Sequence, residues 1–226
     1  MARLELCHVF LFVEPEAIQA AGVLRGIGLR ESCRREHPGQ GTANLCYCFD
    51  NAFLELLWVT DKAALTSPVI ARTGLAARAD WHSKRTNPFG IALRPEPAPP
   101  FPTWNYTPPY LPEDRAIPVA LSSEDPTQPL LFVSPGNTRP DQWMDGRAGA
   151  RQVEAGLSEI IGLELSLDAD IQPCADLQAL SDTGFIKVIP KKGRSQASLV
   201  LSISQSNKGP ARRLELPAMK WLEPSR

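Results

Sequence analysis

Residues 51–61, NAFLELLWVTD, decide how the chain is read. Phe53, Leu54, Leu56, Leu57, Trp58 and Val59 form an apolar run of strand length, and Glu55 stands in its middle. An ionised carboxyl among apolar groups is costly unless it is paired, hydrogen-bonded or bound to a metal, so Glu55 needs a partner. Immediately upstream, TANLCYCF (42–49) is a second apolar run, joined to the first by Asp50 and Asn51 at hairpin spacing. Before it, LRESCRREHP (29–38) supplies a further strand, and LELCHVFLFVEP (4–15) opens the chain as another. Pro15 can occupy the first turn of a helix through EAIQAAGVLRGI (16–27), which Gly26 and Gly28 end. The order over residues 1–60 is therefore strand, helix, three strands.

The same order returns over residues 158–226. SEIIGLELSL (158–167) is a strand pattern and QPCADLQALSDTG (172–184) a proline-initiated, glycine-terminated helix. FIKVIPKK, QASLVLSIS and RRLELPAMKWLEP then give three more strands. FLELLWV and RLELPAMKW share a local form, which sets Glu215 where Glu55 stands in the first unit. Between the units, residues 61–157 carry most of the 22 prolines, as in RPEPAPPFPTWNYTPPYLPE (94–113). Prolines this dense disfavour central strands and helix interiors and suggest an extended cover. Phe101, Trp104, Tyr106 and Tyr110 interleave with them, so the segment should pack on the body, either as a wall or lid for an apolar substrate or as outer packing. NPFGIALRP, IPVAL and PLLFVS within it can supply short strands, and residues 136–152 read as a polar loop.

The 24 basic and 25 acidic residues leave a formal charge of -1, which gives no global field for nucleic acid or an anionic membrane. A small-molecule ligand or substrate is the expected partner, with a homodimer as the candidate assembly. The N-terminal apolar stretch is too short and strand-like for a signal peptide or a spanning helix, so a cytoplasmic protein is expected. Five cysteines without a CxxC pair argue against a disulfide framework, and Cys46 and Cys48 read as small apolar packers on a strand. The loop in HPGQGTAN (37–44) lacks the lysine and the following helix of a phosphate loop. Its His37 and Gln40 either line a rim or satisfy their own backbone. His82 reads as a surface residue, and the charge run KVIPKKGR (187–194) as a solvated hairpin end.

Two strand, helix, three-strand units with a histidine on the first strand and a glutamate on the last resemble the vicinal oxygen chelate superfamily. CHVFLFVEP, HPGQGTAN, NAFLELLWV and NPFGIALRP followed by PFPTWNYTPPYLP are similar to its glyoxalase-like branch. The resemblance implies an α+β fold in which two βαβββ modules, 1–60 and 158–226, form an open-barrel cup in one compact body, with 61–157 inserted between them. It implies a divalent metal, iron, manganese, cobalt, nickel or zinc, held in the cup by His8, Glu55 and Glu215. No ligand type stands at the fourth position, near Ile160 and Gly162.

On strand period two, His8, Phe10 and Phe12 face the cup, while Cys7, Val9, Leu11 and Val13 face the helix. Phe10, Phe12, His37, Gln40, Trp58 and Trp104 are the candidate substrate-binding residues. The resemblance implies a lyase, isomerase or dioxygenase acting on a small oxygen-chelating substrate; a metal-free cup that binds or sequesters a small molecule is the alternative. In the metal-free case Glu55 would be hydrogen-bonded to His8 or to an arginine such as Arg94.

Overall fold

A computed structural model describes residues 3–189 and 196–223. The first unit folds in the expected order: β1 (Leu6–Phe12), α1 (Ile18–Gly26), β2 (Cys33–His37), β3 (Thr42–Cys48) and β4 (Phe53–Val59). Four one-turn helices follow, α2 (Lys62–Leu65), α3 (Pro68–Ala71), α4 (Leu75–Ala79) and α5 (Trp81–Lys84). Then come β5 (Phe89–Leu93), β6 (Thr103–Tyr106), β7 (Ile117–Ala120) and β8 (Leu130–Val133). The last segment holds β9 (Leu157–Ser166), α6 (Ala175–Asp182), β10 (Lys187–Val188), β11 (Ser198–Gln205), β12 (Arg212–Leu216) and β13 (Lys220–Leu222). The class is α+β, with two open sheets.

The larger sheet has eight strands in the order β2-β3-β4-β1-β5-β8-β7-β6. β1 runs parallel to β4, β5 runs parallel to β8, and β1 meets β5 antiparallel at the centre. The two halves of this sheet thus repeat one strand order about its middle. The second half comes from residues 89–133, inside the segment expected to be an insert, and not from residues 158–226. NPFGIALRP, IPVAL and PLLFVS form the expected short strands β5, β7 and β8, and TWNY adds β6; the prolines fall mostly in the connections between them. Pro118 alone lies within one, second in β7, where it faces Asn105 and a missing N–H is tolerated near a strand end.

Residues 158–223 instead build a separate five-stranded sheet, β10-β9-β11-β12-β13. β9 pairs antiparallel with β11 and parallel with the short β10, so the β1/β4 arrangement of the first unit is not repeated there. Lys191, Lys192 and Arg194 of the basic run lie outside the described residues.

One hydrophobic core joins the two sheets. Val9, Leu11, Leu54, Leu56 and Ile91 from the large sheet and Leu24 from α1 share a cluster with Leu165, Leu199, Leu201, Leu214 and Leu177. The opposite face of the large sheet carries a second cluster, in which Phe10, Phe12, Leu57, Tyr106 and Phe132 meet Leu65, Ile70, Leu75 and Trp81 from the one-turn helices. This leaves β1 and β4 buried on both faces, as their near-continuous apolar runs require. Among the described residues no helix is long and apolar enough to cross a membrane.

Candidate functional site

The concave face of the eight-stranded sheet encloses a cavity of about 590 Å³. Strand alternation and register decide what lines it. His8 and Phe10 point in from β1, and Phe53, Glu55 and Leu57 from β4, while Leu54, Leu56 and Trp58 turn to the opposite core. The β3/β4 register puts Cys46 opposite Glu55 and Asn44 opposite Leu57, so both β3 side chains share the cup face with the carboxyl. From β2, Cys33, Arg35 and His37 complete the wall, and Tyr106, Tyr110, Leu111 and Pro112 come from the proline-rich segment. A register shift between Leu6 and His8 also brings Cys7 to the cavity, although simple alternation assigned it to the helix face.

Glu55, 6% exposed, is the centre of a polar chain. Asn44 Nδ2 donates to its Oε1 at 2.7 Å, and His8 Nε2 lies 3.5 Å from its Oε2. His37 Nε2 is 3.5 Å from the same Asn44 amide, and its Nδ1 is 2.9 Å from the Thr42 hydroxyl. Gln40 Nε2 donates to Thr42 Oγ1 at 2.8 Å, and the Tyr106 hydroxyl donates to Gln40 Oε1 at 2.8 Å. Apolar rings flank the chain: Phe53 stacks on His8 at 4.5 Å between centroids, Phe132 meets its edge at 5.3 Å, and Tyr110 lies 4.7 Å from His37. The loop that carries His37 and Gln40 turns at Gly41, where φ is +80° and a Cβ would overlap the Asp61 carbonyl.

Burial governs the electrostatics. It raises the Glu55 carboxyl to about 7, a rise opposed by the Asn44 hydrogen bond and the Arg35 charge. It lowers His8 to about 3 and His37 to about 4, so both imidazoles are neutral at pH 7. His8 and Glu55 therefore meet as a neutral imidazole and a carboxyl that titrates near neutrality, not as a fixed ion pair.

The other expected site residues are placed elsewhere. Glu215, on β12 of the smaller sheet, is ion-paired with Lys220 at 3.3 Å and borders a different cavity, one shared by α5 and the β12–β13 turn. Trp58 belongs to the core between the sheets, where Arg34 lies 5.8 Å above its ring. Trp104, on the edge strand β6, is covered by Arg72 at 4.3 Å and does not line the cup; Tyr106, two residues on, does. Phe12 is buried, edge-on to Phe10 at 5.6 Å, and borders the cavity of Glu215. Arg94 does not reach Glu55: it is ion-paired with Glu5 and donates to the carbonyls of Asn51 and Asn137.

The donor set does not fit the expected metal. Among the described residues no group of three or more His, Cys, Asp or Glu side chains is placed to hold an ion. His8 and Glu55 are two donors without Glu215, and Glu55 Oε1 is already taken by Asn44. Asn44, Cys33, Cys46, Arg35 and Phe53 are cup residues that strand patterning alone did not single out. The signal for Asn44 and Cys46 was present in the hairpin, since a turn at Asp50 and Asn51 sets both on the face of Glu55.

No curated protein sequence matches the chain. Among solved structures, a triple mutant of 4-hydroxymandelate synthase from Streptomyces coelicolor is similar at 11% identity and a TM-score of 0.44. That match covers 100% of this chain and 66% of the other, so the chain spans just under two thirds of that structure. The model of the glyoxalase-like domain family matches residues 6–101, which run from β1 through β5 and hold His8, Asn44 and Glu55. Over those residues the chain carries a glyoxalase-like domain.

Proposed function

We propose that the cup binds a small, partly apolar organic molecule and that Glu55 exchanges a proton with it, as in an isomerase or lyase. The observation that carries this reading is the buried Glu55 carboxyl, raised to about 7 at the floor of a cavity walled by Phe10, Phe53, Phe132 and Tyr110. A carboxyl that titrates near neutral pH is populated both as base and as acid, which general acid–base chemistry requires. Asn44 fixes one carboxyl oxygen and leaves the other toward His8. The neutral His8 imidazole can accept a hydrogen bond from the protonated carboxyl or from a hydroxyl of the ligand. Phe53, stacked on His8, and Phe132, edge-on to it, shield the imidazole and offer a planar ligand apolar surface.

A second reading is a cup that binds the molecule without turning it over, favoured by the apolar rings that make up much of the wall. One experiment separates the two. Small carbonyl and hydroxy compounds that raise the melting temperature are incubated in deuterium oxide with wild type and with Glu55→Gln. Proton transfer predicts deuterium in the recovered ligand with wild type and none with the variant. Binding by both proteins without exchange supports the binder and removes the catalytic role of Glu55.

A further inference from the structure

Two of the five cysteines face each other on one wall of the cup. Cys33 on β2 is directly opposite Cys46 on β3, and both line the cavity. Cys48 follows Cys46 on the same face of β3. All three are free thiols. Facing residues of an antiparallel pair have Cα atoms roughly 4.5–5.5 Å apart, inside the window of roughly 4.4–6.8 Å that a disulfide spans. The three thiols differ in access: Cys33 is part-exposed, whereas Cys46 and Cys48 are buried. Arg35 and Arg147 border the same cavity and set positive charge near Cys33.

We propose that Cys33 and Cys46 form a reversible disulfide in the cup wall, with Cys33 as the thiol that attacks a hydroperoxide and Cys46 as the thiol that resolves it. In the first step the Cys33 thiolate attacks one peroxide oxygen and the O–O bond breaks. With hydrogen peroxide and one proton this gives the Cys33 sulfenic acid and water. In the second step the Cys46 sulfur attacks the Cys33 sulfur, and the hydroxyl leaves with the Cys46 proton as a second water. The thiol pair loses two electrons and the peroxide gains them.

The electrostatics suit this division of labour. Hydrogen bonds from Cys46 and Cys48, with the charges of Arg147 and Arg35, hold Cys33 well below the ordinary thiol value. The Cys33 contact and burial push Cys46 and Cys48 up, so they remain protonated. Cys46 also stands opposite Glu55 across β3 and β4, so the bond would form one strand away from the carboxyl and tie β2 to the cup floor.

The test uses the full chain with Cys174 as internal control, a part-exposed cysteine on the other side of the molecule's sequence, at the start of α6. Iodoacetamide at about pH 6 is expected to label Cys33 at least ~10-fold faster than Cys174, because only a thiolate reacts. Stoichiometric hydrogen peroxide should then give a dithiothreitol-sensitive Cys33–Cys46 link by tandem mass spectrometry. Cys46→Ser should leave a Cys33 sulfenic acid that dimedone traps, and Cys33→Ser should give neither product. Equal labelling of Cys33 and Cys174, a Cys33–Cys48 link, or over-oxidation of wild-type Cys33 without any link would overturn the proposal.

Discussion

Glu55 shows how one side chain can set the pH response of the whole molecule. Its carboxyl titrates near 7 when folded and near 4.5 in its ordinary state, so between these values the folded chain binds more protons than the unfolded one. Its contribution to stability is therefore fully favourable below about pH 4.5 and falls as pH rises through 7. Glu55→Gln keeps the acceptor for Asn44 and removes the titration. The variant should gain on wild type between pH 5 and 8, by a difference on the order of 3 kcal/mol at about 1.4 kcal/mol per pKa unit. Urea unfolding across that range checks it, and parallel curves for the two proteins would deny Glu55 its raised value. His8 acts in the opposite sense: the unfolded imidazole takes up a proton as pH falls below 6.5 while the folded one stays neutral to about 3, so stability is lost over that range.

At the scale of elements, the cup depends on close approaches that single residues permit. Gly90 on β5 faces Phe10 on β1, and a Cβ at position 90 would lie 2.0 Å from the Phe10 ring. Gly90→Ala must drive that ring into the cavity or part the central strands, and overpacking of this kind costs about 1–3 kcal/mol. Thermal melting should show the loss, and any ligand of the wild-type cup should bind more weakly; unchanged binding would place the ligand away from Phe10. Arg78 on α4 is fully buried and donates to the carbonyls of Ser123, Asp125, Pro126, Asn87 and Gln128, which tethers the one-turn helices to the segment before β8. Burial lowers its guanidinium to about 9. Arg78→Met leaves those carbonyls without their donor and should destabilise the protein by roughly 2–5 kcal/mol. Chemical denaturation measures it, and a loss below the error of the method would show that water replaces the donor.

For the whole molecule, the shared core makes the two sheets one thermodynamic unit. Leu201 on β11 is fully buried in the cluster that also holds Val9 and Leu56 of the large sheet. Two side-chain amides add to the join. Asn51 exchanges two hydrogen bonds of 2.9 Å with the backbone of Ile160, and Gln152 does the same with Arg30 at 2.8 and 2.9 Å. Leu201→Ala should therefore lower the stability of both sheets together, by about 2–5 kcal/mol in a single transition. Calorimetry that resolved two transitions, only one of them shifted, would show the sheets to be independent.

The sequence by itself determined the first unit, β1 to β4, because its apolar runs of strand length are set off by a proline-started helix, a glycine loop and a two-residue turn. That His8 and Glu55 share a face was implied by the family resemblance, and the parallel β1/β4 pairing, with Val9, Leu11, Leu54 and Leu56 in the opposite core, decides it. The α+β class followed from the same patterning. Only the tertiary structure decided which segment completes the sheet. FGIAL, TWNY, IPVA and LLFV are too short and too proline-flanked to declare their partners, and their pairing depends on contacts far apart in sequence. The residues 158–226 repeat the element order of the first unit, but local order does not encode which face a sheet packs against. The apolar back of the large sheet claimed them, and that is why Glu215 stands with Lys220 while Glu55 keeps Asn44 and His8.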